Sequence, residues 1–402
     1  MSAVFLYDDA RARTFEPFAL TRPIGETRAG ALLVRERWNR ALGLAVSGHV
    51  TSSFLAGFDE TDAAPIADAG DELPAGSWLV NARFAPSLEP APRGDVVAAG
   101  GRIAGVRLAR PLPTAALRDG TLRLEELTAS GGAMAEARGH WLENVWDYIA
   151  FLPEMLTEDI AVLGAGLPQD TPAGALRMGE HGLFVERGAV VEPHVCFDLT
   201  AGPVLLRAGS HVQAFTRLCG PVYVGAGSTV TTDRIACASI GEVCKVHGEV
   251  SNVIFIGHAN KGHDGFVGHS MLGRWVNLGA GTITSNLKNT YGTVQLWTPE
   301  GIRETGMQFL GTLFGDHAKT GIGLRLTTGT VIGAAANVYG SVMPPKAVAP
   351  WGWGEAGSLA AYRVDKFLQV AERMMARRHV TLSESAKRQL LASYERRWRF
   401  DS

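Results

Sequence analysis

A six-residue repeat in the last third of the chain limits the folds available to it most strongly. Residues recur at this spacing at Phe314, Thr320, Leu326, Ile332 and Val338, and glycine directly follows three of them. Four of the five are apolar. Neither a helix, with its period of 3.6, nor a plain strand, with its period of two, gives this spacing. It is typical of hexapeptide repeats, in which stacked short strands each bury one aliphatic side chain. We therefore predict a parallel β-helix.

The repeat extends towards the N-terminus but becomes less regular. Apolar pairs six residues apart begin at Val185, and one pair, Val224 and Val230, encloses a Gly-Ala-Gly-Ser-Thr bend. The step from Val246 to Leu272 is not a multiple of six, so the register slips there. Residues 285–307 lack the pattern and are predicted to form a loop outside the coil.

Length and composition indicate two or three domains in a globular chain of 402 residues that is 46% hydrophobic. The predicted domains are residues 1–165, an α/β unit; 166–354, the β-helix; and 355–402, a helical tail. The expected elements are strands at Val4–Tyr7 and 77–80, helices at 29–42 and 142–151, and two tail helices at 359–375 and 383–398, with Ser383 as an N-cap.

Charge and hydropathy exclude several classes of partner. The formal net charge is −2, and no long run of Lys and Arg forms a stripe that could follow a phosphate backbone, so nucleic acid is not expected. No apolar run reaches membrane length, and the first residues lack the pattern of a signal peptide. We therefore expect a cytoplasmic protein that is not inserted into a membrane.

The densest group of polar residues lies within the register slip. Three histidines, His258, His263 and His269, fall within twelve residues, together with Asn260 and Lys261. Interruptions of a rigid scaffold are common places for binding and catalytic residues. The sequence therefore predicts a functional site in this stretch of the β-helix.

Two motifs here carry a family resemblance. Asn260-Lys-Gly-His263 is followed by Asn277-Leu-Gly-Ala-Gly-Thr-Ile-Thr-Ser-Asn286. Together they resemble the acetyltransferase domain of the bifunctional glucosamine-1-phosphate acetyltransferase/N-acetylglucosamine-1-phosphate uridyltransferase family. The resemblance implies a left-handed β-helix, an exception to the usual right-handed crossover. It also implies a homotrimer that binds acetyl-CoA between neighbouring coils.

The same resemblance assigns roles to residues. It implies that His263 is the base that takes a proton from an amine attacking a thioester, as an imidazole can near pH 7. Phe266 stands where the family has tyrosine, so one hydroxyl contact is missing. The acceptor-side candidates are Asn277, Asn260, Lys261 and Lys288, and the cofactor-side candidates are Asn286, Lys319 and Arg325. If each coil consists of three hexads, Lys245 is expected beside His263 on the preceding coil, or pointing to solvent.

The N-terminal residues resemble a reduced sugar nucleotidyltransferase. The first strand is followed by Asp8-Asp9 without glycine, Arg22 and Arg28 come from Thr21-Arg-Pro-Ile-Gly-Glu-Thr-Arg28, and Asn81 ends the second strand in place of a metal-binding aspartate. The resemblance implies that Asp8 or Asp9 holds Mg²⁺, that Arg22 and Arg28 hold phosphates, and that Asn81 contacts substrate. The alternative is a purely structural domain.

Three other functions stay open at this point. A γ-carbonic-anhydrase-like zinc hydratase would use His247, His258 and His263 as ligands. A non-catalytic trimeric scaffold would need none of these side chains. An acetyltransferase acting on another sugar would keep His263 and change the acceptor pocket. The resemblance favours acetyl transfer from acetyl-CoA to glucosamine 1-phosphate. If the first domain is active, uridylyl transfer from UTP would follow and give UDP-N-acetylglucosamine.

Overall fold

The computed structural model describes residues 2–90, 94–128, 132–355 and 358–399. The chain divides into two compact units. One extends up to Val145 and includes Leu382–Arg396; the other comprises Trp146–Thr381 and the residues from Arg397 onward. Each unit has its own core. No helix in the described part of the chain has both the length and the apolar character needed to cross a bilayer.

The first unit is built on a six-stranded mixed sheet. Its strands lie in the order Met134–Glu136, Val96–Ala99, Arg102–Arg107, Trp78–Asn81, Val4–Tyr7 and Gly48–Val50, and Val4–Tyr7 is parallel to both of its neighbours. Both predicted strands are present, and they are almost wholly buried because their residues are apolar on both faces. The strands are β1 Val4–Tyr7, β2 Arg28–Ala29, β3 Leu32–Leu33, β4 Gly48–Val50, β5 Glu72–Leu73, β6 Trp78–Asn81, β7 Phe84–Pro86, β8 Val96–Ala99, β9 Arg102–Arg107, β10 Leu112–Pro113, β11 Met134–Glu136 and β12 Gly139–Trp141.

Helix α1 is shorter than predicted. It spans Val34–Leu42, and the residues before it form a small antiparallel pair, β2 with β3, around Gly30 at φ = 62°. Gly43, at φ = 65°, caps the helix in the left-handed conformation that glycine adopts without strain. The 3₁₀-helices of this unit are Ala12–Thr14, Ile24–Glu26, Ser53–Leu55, Thr114–Leu117 and Leu124–Leu127.

The second unit is the predicted β-helix, and the predicted fold class, an α/β unit followed by a left-handed parallel β-helix and helices, is confirmed. Its strands are β13 Leu176–Met178, β14 Leu183–Val185, β15 Val190–Val191, β16 Cys196–Asp198, β17 Val204–Leu206, β18 His211–Val212, β19 Thr216–Val224, β20 Thr229–Thr231, β21 Asp233–Ile240, β22 Lys245–His247, β23 Val250–Phe255, β24 Asn260–Lys261, β25 Val267–Leu272, β26 Asn277–Leu278, β27 Ile283–Thr284, β28 Gln295–Thr298, β29 Gly301–Glu304, β30 Thr312–Phe314, β31 Lys319–Thr320, β32 Arg325–Leu326, β33 Thr330–Ile332, β34 Asn337–Tyr339, β35 Ala347–Val348, β36 Gly352–Glu355 and β37 Ala360–Ala361.

Inward-pointing side chains form columns along the coil. One column runs through Ile240, Phe255, Leu272, Phe314 and Ile332, each paired with the next and each fully buried. The step from Phe314 to Ile332 is three full hexads, whereas the step from Ile240 to Phe255 is shorter in sequence. The register slip is therefore a shortening of the coils, which keeps the column continuous in space.

The insertion between β27 and β30 is more ordered than predicted. Instead of a plain loop it contains an antiparallel hairpin of β28 and β29, with Trp297 paired with Ile302. The remaining helices are α2 Asp147–Ala150, α3 Leu152–Leu163, α4 Val364–Ala376 and α5 Glu384–Arg396. The predicted N-cap is confirmed, because the backbone N–H of Ala386 donates to Ser383 Oγ at 3.1 Å.

Candidate active site

His263 lies at a corner of the β-helix, between β24 and β25. Gly265 has φ = 125°, and a side chain there would meet the Thr282 carbonyl, so this corner requires glycine. The imidazole of His263 is exposed, and no hydrogen bond joins it to another residue in the described part of the chain. The ring is therefore accessible to a substrate.

The corner is tied to the two preceding coils by its neighbour, Asp264. Oδ1 of Asp264 lies 2.8 Å from Nε2 of His247, and Nδ1 of His247 lies 2.7 Å from the Thr231 carbonyl oxygen. The Asp264 side chain is 90% exposed. His247 thus orients this corner and does not point with His263 at a common centre.

A lysine takes an inward position directly beneath this corner. Lys261 follows Val246 in a column of inward residues whose other members are apolar except for Thr320, and it is 2% exposed. Its Nζ donates to the carbonyl oxygens of His247, at 2.7 Å, and of His263, at 2.5 Å. Burial lowers the pKa of Lys261 to about 8. The two hydrogen bonds satisfy the buried amine and fix the backbone that carries His263.

The structure bears on the expectations for two lysines at this corner. Lys261 cannot contact an acceptor, because its amine points into the coil. Lys245 does not lie beside His263, because the coil is shorter than three hexads here and pairs Lys245 with Asn260; its side chain is exposed, in agreement with the alternative expectation that it points to solvent. The step from Lys245 to its partner Asn260 is shorter in sequence than the step from Lys319 to Asn337 in a regular coil.

Asn260 and Asn277 are brought together on the outer side of β24 and β26. They are paired in register, and Asn260 Nδ2 donates to Asn277 Oδ1 at 2.8 Å. Both line a cavity of about 390 Å³, together with His258 and residues from the end of α4, but without His263. The two acceptor-side candidates thus share one cavity.

Asn286 lies at the end of a different edge of the coil. Its Nδ2 donates to Nδ1 of His269 at 2.9 Å, and that ring stacks on Phe309 with centroids 5.3 Å apart. Burial lowers the pKa of His269 to about 4, which keeps the ring neutral and able to accept this hydrogen bond. The sequence placed His269 in the polar stretch without a role, and only the structure shows that it holds Asn286.

The other candidates of the β-helix have partners within the chain. Lys288 donates to the Thr293 carbonyl in the insertion. Lys319 lies under α4, with Nζ 3.3 Å from Met374 Sδ, and burial lowers its pKa to about 8. Arg325 is exposed and donates to the Ser341 carbonyl at 3.4 Å. The amine of Lys319, a cofactor-side candidate, therefore packs against α4.

The zinc-hydratase geometry is not found. His258 packs against Trp275, at 4.3 Å between the centroids of the tilted rings, and its Nδ1 lies 3.0 Å from Arg274 Nη1. Burial and the neighbouring Arg274 lower its pKa to about 4. Among the residues that the structure describes, no three His, Cys, Asp or Glu side chains converge in a way that could hold a metal.

The first unit has a separate cavity of about 500 Å³ at the carboxyl ends of β1 and β6. It brings together Asp9 and Asn81, both candidates from the sequence, and adds arginines that the sequence analysis did not single out. Arg102 lies over the Trp141 ring at 3.8 Å from its centroid. The arginines in the lining are Arg11, Arg83, Arg102 and Arg123. Basic side chains from segments far apart in sequence cannot be grouped without the fold.

The aspartates proposed for Mg²⁺ do not fit that role in this arrangement. Asp9 accepts from Arg83 Nη2 at 2.7 Å, from Asn81 Nδ2 at 2.9 Å and from the Ala12 backbone N–H at 2.9 Å. Asp8 is 2% exposed, its Oδ2 accepts from Ile24 N–H and Thr51 Oγ1, and burial raises its pKa. A cation would have to displace Arg83 to reach the Asp9 carboxylate.

Arg22 and Arg28 are buried structural residues, so the expectation that they hold phosphates is wrong. Arg22 is 1% exposed and pairs with Glu60 at 2.7 Å. Arg28 is 3% exposed and donates to the Ala31 carbonyl. Buried guanidinium groups must have such partners, which leaves them unavailable to a ligand.

Comparisons with known proteins agree with the predicted resemblance. Residues 4–167 match the family model described as sugar nucleotidyl transferase. A bifunctional sugar-1-phosphate nucleotidylyltransferase/acetyltransferase from Sulfurisphaera tokodaii is 31% identical over 107 residues, 27% of this chain and 26% of that protein. The bifunctional protein GlmU of Bartonella quintana is 29% identical over 169 residues, 40% of this chain and 32% of that protein. The chain therefore matches about a quarter to a third of the length of these relatives.

Solved structures are similar at a lower level. AntD, an N-acyltransferase from Bacillus cereus in complex with dTDP-4-amino-4,6-dideoxyglucose and coenzyme A, is 10% identical with a TM-score of 0.22, covering 50% of this chain and 91% of that one. A UDP-N-acetylglucosamine acyltransferase from Campylobacter jejuni is 11% identical with a TM-score of 0.16, covering 54% and 93%. At these scores the similarity carries no weight for substrate or mechanism.

Proposed function

We propose that residues 166–354 form an acetyl-CoA-dependent N-acetyltransferase whose acceptor is glucosamine 1-phosphate. In this proposal residues 1–165 are a sugar nucleotidyltransferase-like domain and residues 355–402 a helical tail, and the protein is a cytoplasmic homotrimer. The observation that carries the proposal is the exposed imidazole of His263, held at a fixed corner by the buried Lys261. The supporting sequence observation is the Asn277–Asn286 string next to it.

The chemistry assigned to His263 is removal of one proton. The acceptor amine attacks the thioester carbonyl, a C–N bond forms, the C–S bond breaks and coenzyme A leaves as the thiol. The attacking nitrogen must lose a proton, which His263 accepts and can pass to the leaving thiolate. Asn286, with its Nδ2 committed to His269, presents its Oδ1 as the acceptor for a donor on the acetyl-CoA side. His269 then acts as a positioning residue for Asn286.

The decisive experiment measures thiol release from acetyl-CoA in the presence of glucosamine 1-phosphate. We expect His263→Ala to lower kcat by about 100-fold or more, the usual contribution of a general base. His181→Ala is the matched control, because His181 is also an exposed histidine of the β-helix. Unchanged thermal unfolding of both variants would show that the loss is chemical. Equal rates for wild type and His263→Ala would contradict the proposed role of His263 as the base.

The acceptor is tested in the same assay with other amino sugars and with their hydroxyl analogues. We expect glucosamine 1-phosphate to give the highest kcat/KM. A higher value for a different amino sugar would keep the acetyl-transfer chemistry and change the acceptor. Light scattering of the full chain tests the homotrimer, for which we expect about three times the mass of 42.8 kDa.

Uridylyl transfer from UTP is a second candidate function, located in the first unit. The match of residues 4–167 to the sugar nucleotidyl transferase model favours it, together with the arginine-lined cavity. Arginine is suited to phosphate because its fork of N–H donors matches two oxygens. Release of pyrophosphate from UTP and N-acetylglucosamine 1-phosphate tests it. We expect Arg102→Gln to reduce that release, and no release from wild type would leave the unit a binding or structural domain.

A further inference from the structure

A second cavity, in the β-helix unit, has the character of an anion site. It is the cavity of about 390 Å³ that contains Asn260 and Asn277, and this volume is within the range of small-molecule pockets. Three cationic side chains line it, Lys245 from β22 and Arg377 and Arg378 from the residues directly after α4. No carboxylate belongs to this lining among the described residues. Three positive charges on one concave surface favour an anion.

None of the three cations has a carboxylate partner among the residues that the structure describes. Lys245 and Arg377 make no ion pair or side-chain hydrogen bond within the described ranges. Arg378 is held by the coil, because its Nη1 donates to the Val243 carbonyl at 3.4 Å. An acidic side chain that neighbours the lining, Glu242, is paired with Arg274. The charges of the cavity are therefore not neutralised by the carboxylates that the structure describes.

Neutral donors and an aromatic surface complete the cavity. Asn260 Nδ2 is committed to Asn277 Oδ1, which leaves the Asn277 amide as a donor on the cavity side. Trp275 and His258 contact each other in the wall, with their rings tilted by 34°. This arrangement supplies N–H donors as well as charge, as phosphate oxygens require.

We propose that this cavity binds a phosphate group of a phosphorylated small molecule, and that the end of α4 completes the site. This assigns a binding role to the C-terminal helical tail through Arg377 and Arg378. The proposal deepens the proposed function and rests on it for the identity of the ligand, because both substrates named there, glucosamine 1-phosphate and acetyl-CoA, carry phosphate. The shared chemistry is a phosphate or diphosphate bound by Lys245 and the two arginines.

The first experiment is independent of any catalytic activity. Inorganic pyrophosphate is titrated calorimetrically into the full chain at low salt, into Lys245→Gln and into the double variant Arg377→Gln/Arg378→Gln. We expect the double variant to lower the affinity at least tenfold. Arg373→Gln, an exposed arginine of α4 outside the cavity, should change it less than twofold. All titrations are made in an Arg123→Gln background, so that the arginine-lined cavity of the first unit does not mask the result.

The pyrophosphate affinities test the proposed phosphate site independently of acetyl transfer. An unchanged pyrophosphate affinity in both cavity variants would overturn it, even if acetyl transfer proves correct. A tenfold loss would support it, even if no acetyl transfer is detected. Where transfer is detected, the KM values assign the source. A rise confined to acetyl-CoA indicates the coenzyme phosphates, and a rise confined to glucosamine 1-phosphate indicates the sugar phosphate.

Discussion

The coils after Phe314 and the coils between Ile240 and Leu278 solve the same packing problem in different ways. In the later coils the inward residues are spaced by six, and each is apolar or a small threonine. In the earlier coils the inward residues lie four to six apart, and one is a lysine. Both regions keep their columns continuous. The spacing of the inward residues thus differs between the two regions, whereas the burial of their side chains is the same in both.

Lys261 also shows what a buried position requires. Val338 occupies the same column in a regular coil, where an amine would find an apolar interior. Lys261 is tolerated because the backbone carbonyls of His247 and His263 accept hydrogen bonds from its amine. A buried polar group without such partners costs several kcal/mol, or it loses its charge. The irregular corner and the buried lysine therefore belong together.

The largest effect is expected from placing a lysine in the regular region. Val338→Lys should lower the free energy of unfolding by about 3 kcal/mol or more, because its amine would enter the apolar core to which Val338 belongs. Denaturant unfolding measures it, with Ile322→Lys, at a position 79% exposed in the same region, as the control. A loss below about 1 kcal/mol would mean that any coil can accommodate the amine, and the contrast between the regions would fail.

A pH series sharpens the same contrast in the irregular region. The pKa of Lys261 is about 8 in the folded chain and 10.5 when exposed, so between these values the unfolded chain binds more protons. Stability must then rise with pH over this window. The free energy of unfolding of the wild type, relative to Lys261→Met, should increase by about 3 kcal/mol across the window between these two pKa values.

The comparison with Lys261→Met is needed because burial also lowers the pKa of Lys319 to about 8. That contribution is present in both proteins and cancels in the difference. Fluorescence-monitored urea unfolding at each pH supplies the values. A difference that stays flat, or falls as pH rises, would show that Lys261 is not buried as the structure has it.

The same substitution should affect activity through the corner. In Lys261→Met the carbonyls of His247 and His263 lose their common donor, so the backbone of His263 is less well fixed. We expect kcat for acetyl transfer to fall about tenfold with KM nearly unchanged, because a misplaced base affects mainly the chemical step. Lys261→Arg, which keeps a donor, should recover part of the rate. A variant with full activity would show that the lysine has only a packing role.

The regular region could be predicted from sequence and the site only in part. The period at Phe314–Val338 led to the β-helix, because every corner there has the same length. The same period did not give the correct neighbour of Lys245, since nothing in the sequence shows how many residues a shortened coil omits. The burial of Lys261 was not predicted either, because a lysine among polar residues gives no indication that its side chain points inward. Resemblance grouped Asn260 with Asn277, whereas Arg377 and Arg378, far later in the chain, could join them only through the fold.

The smallest effect is expected at Thr320, the polar inward residue of the regular region. Its Oγ1 lies 2.8 Å from Thr282 Oγ1 and accepts from the Gly279 N–H at 3.1 Å, but that N–H also reaches the Thr320 carbonyl at 3.0 Å. Thr282 Oγ1 also donates to the Gly279 carbonyl at 2.8 Å. Thr320→Val leaves these backbone partners in place and adds apolar contact, so we expect a change in the free energy of unfolding below about 1 kcal/mol. Thr282→Val, which removes the donor to Gly279, should cost more in the same unfolding experiment. The reverse order would mean that the hydroxyl of Thr320, like the amine of Lys261, is an essential part of its coil, and the two regions would then differ in spacing alone.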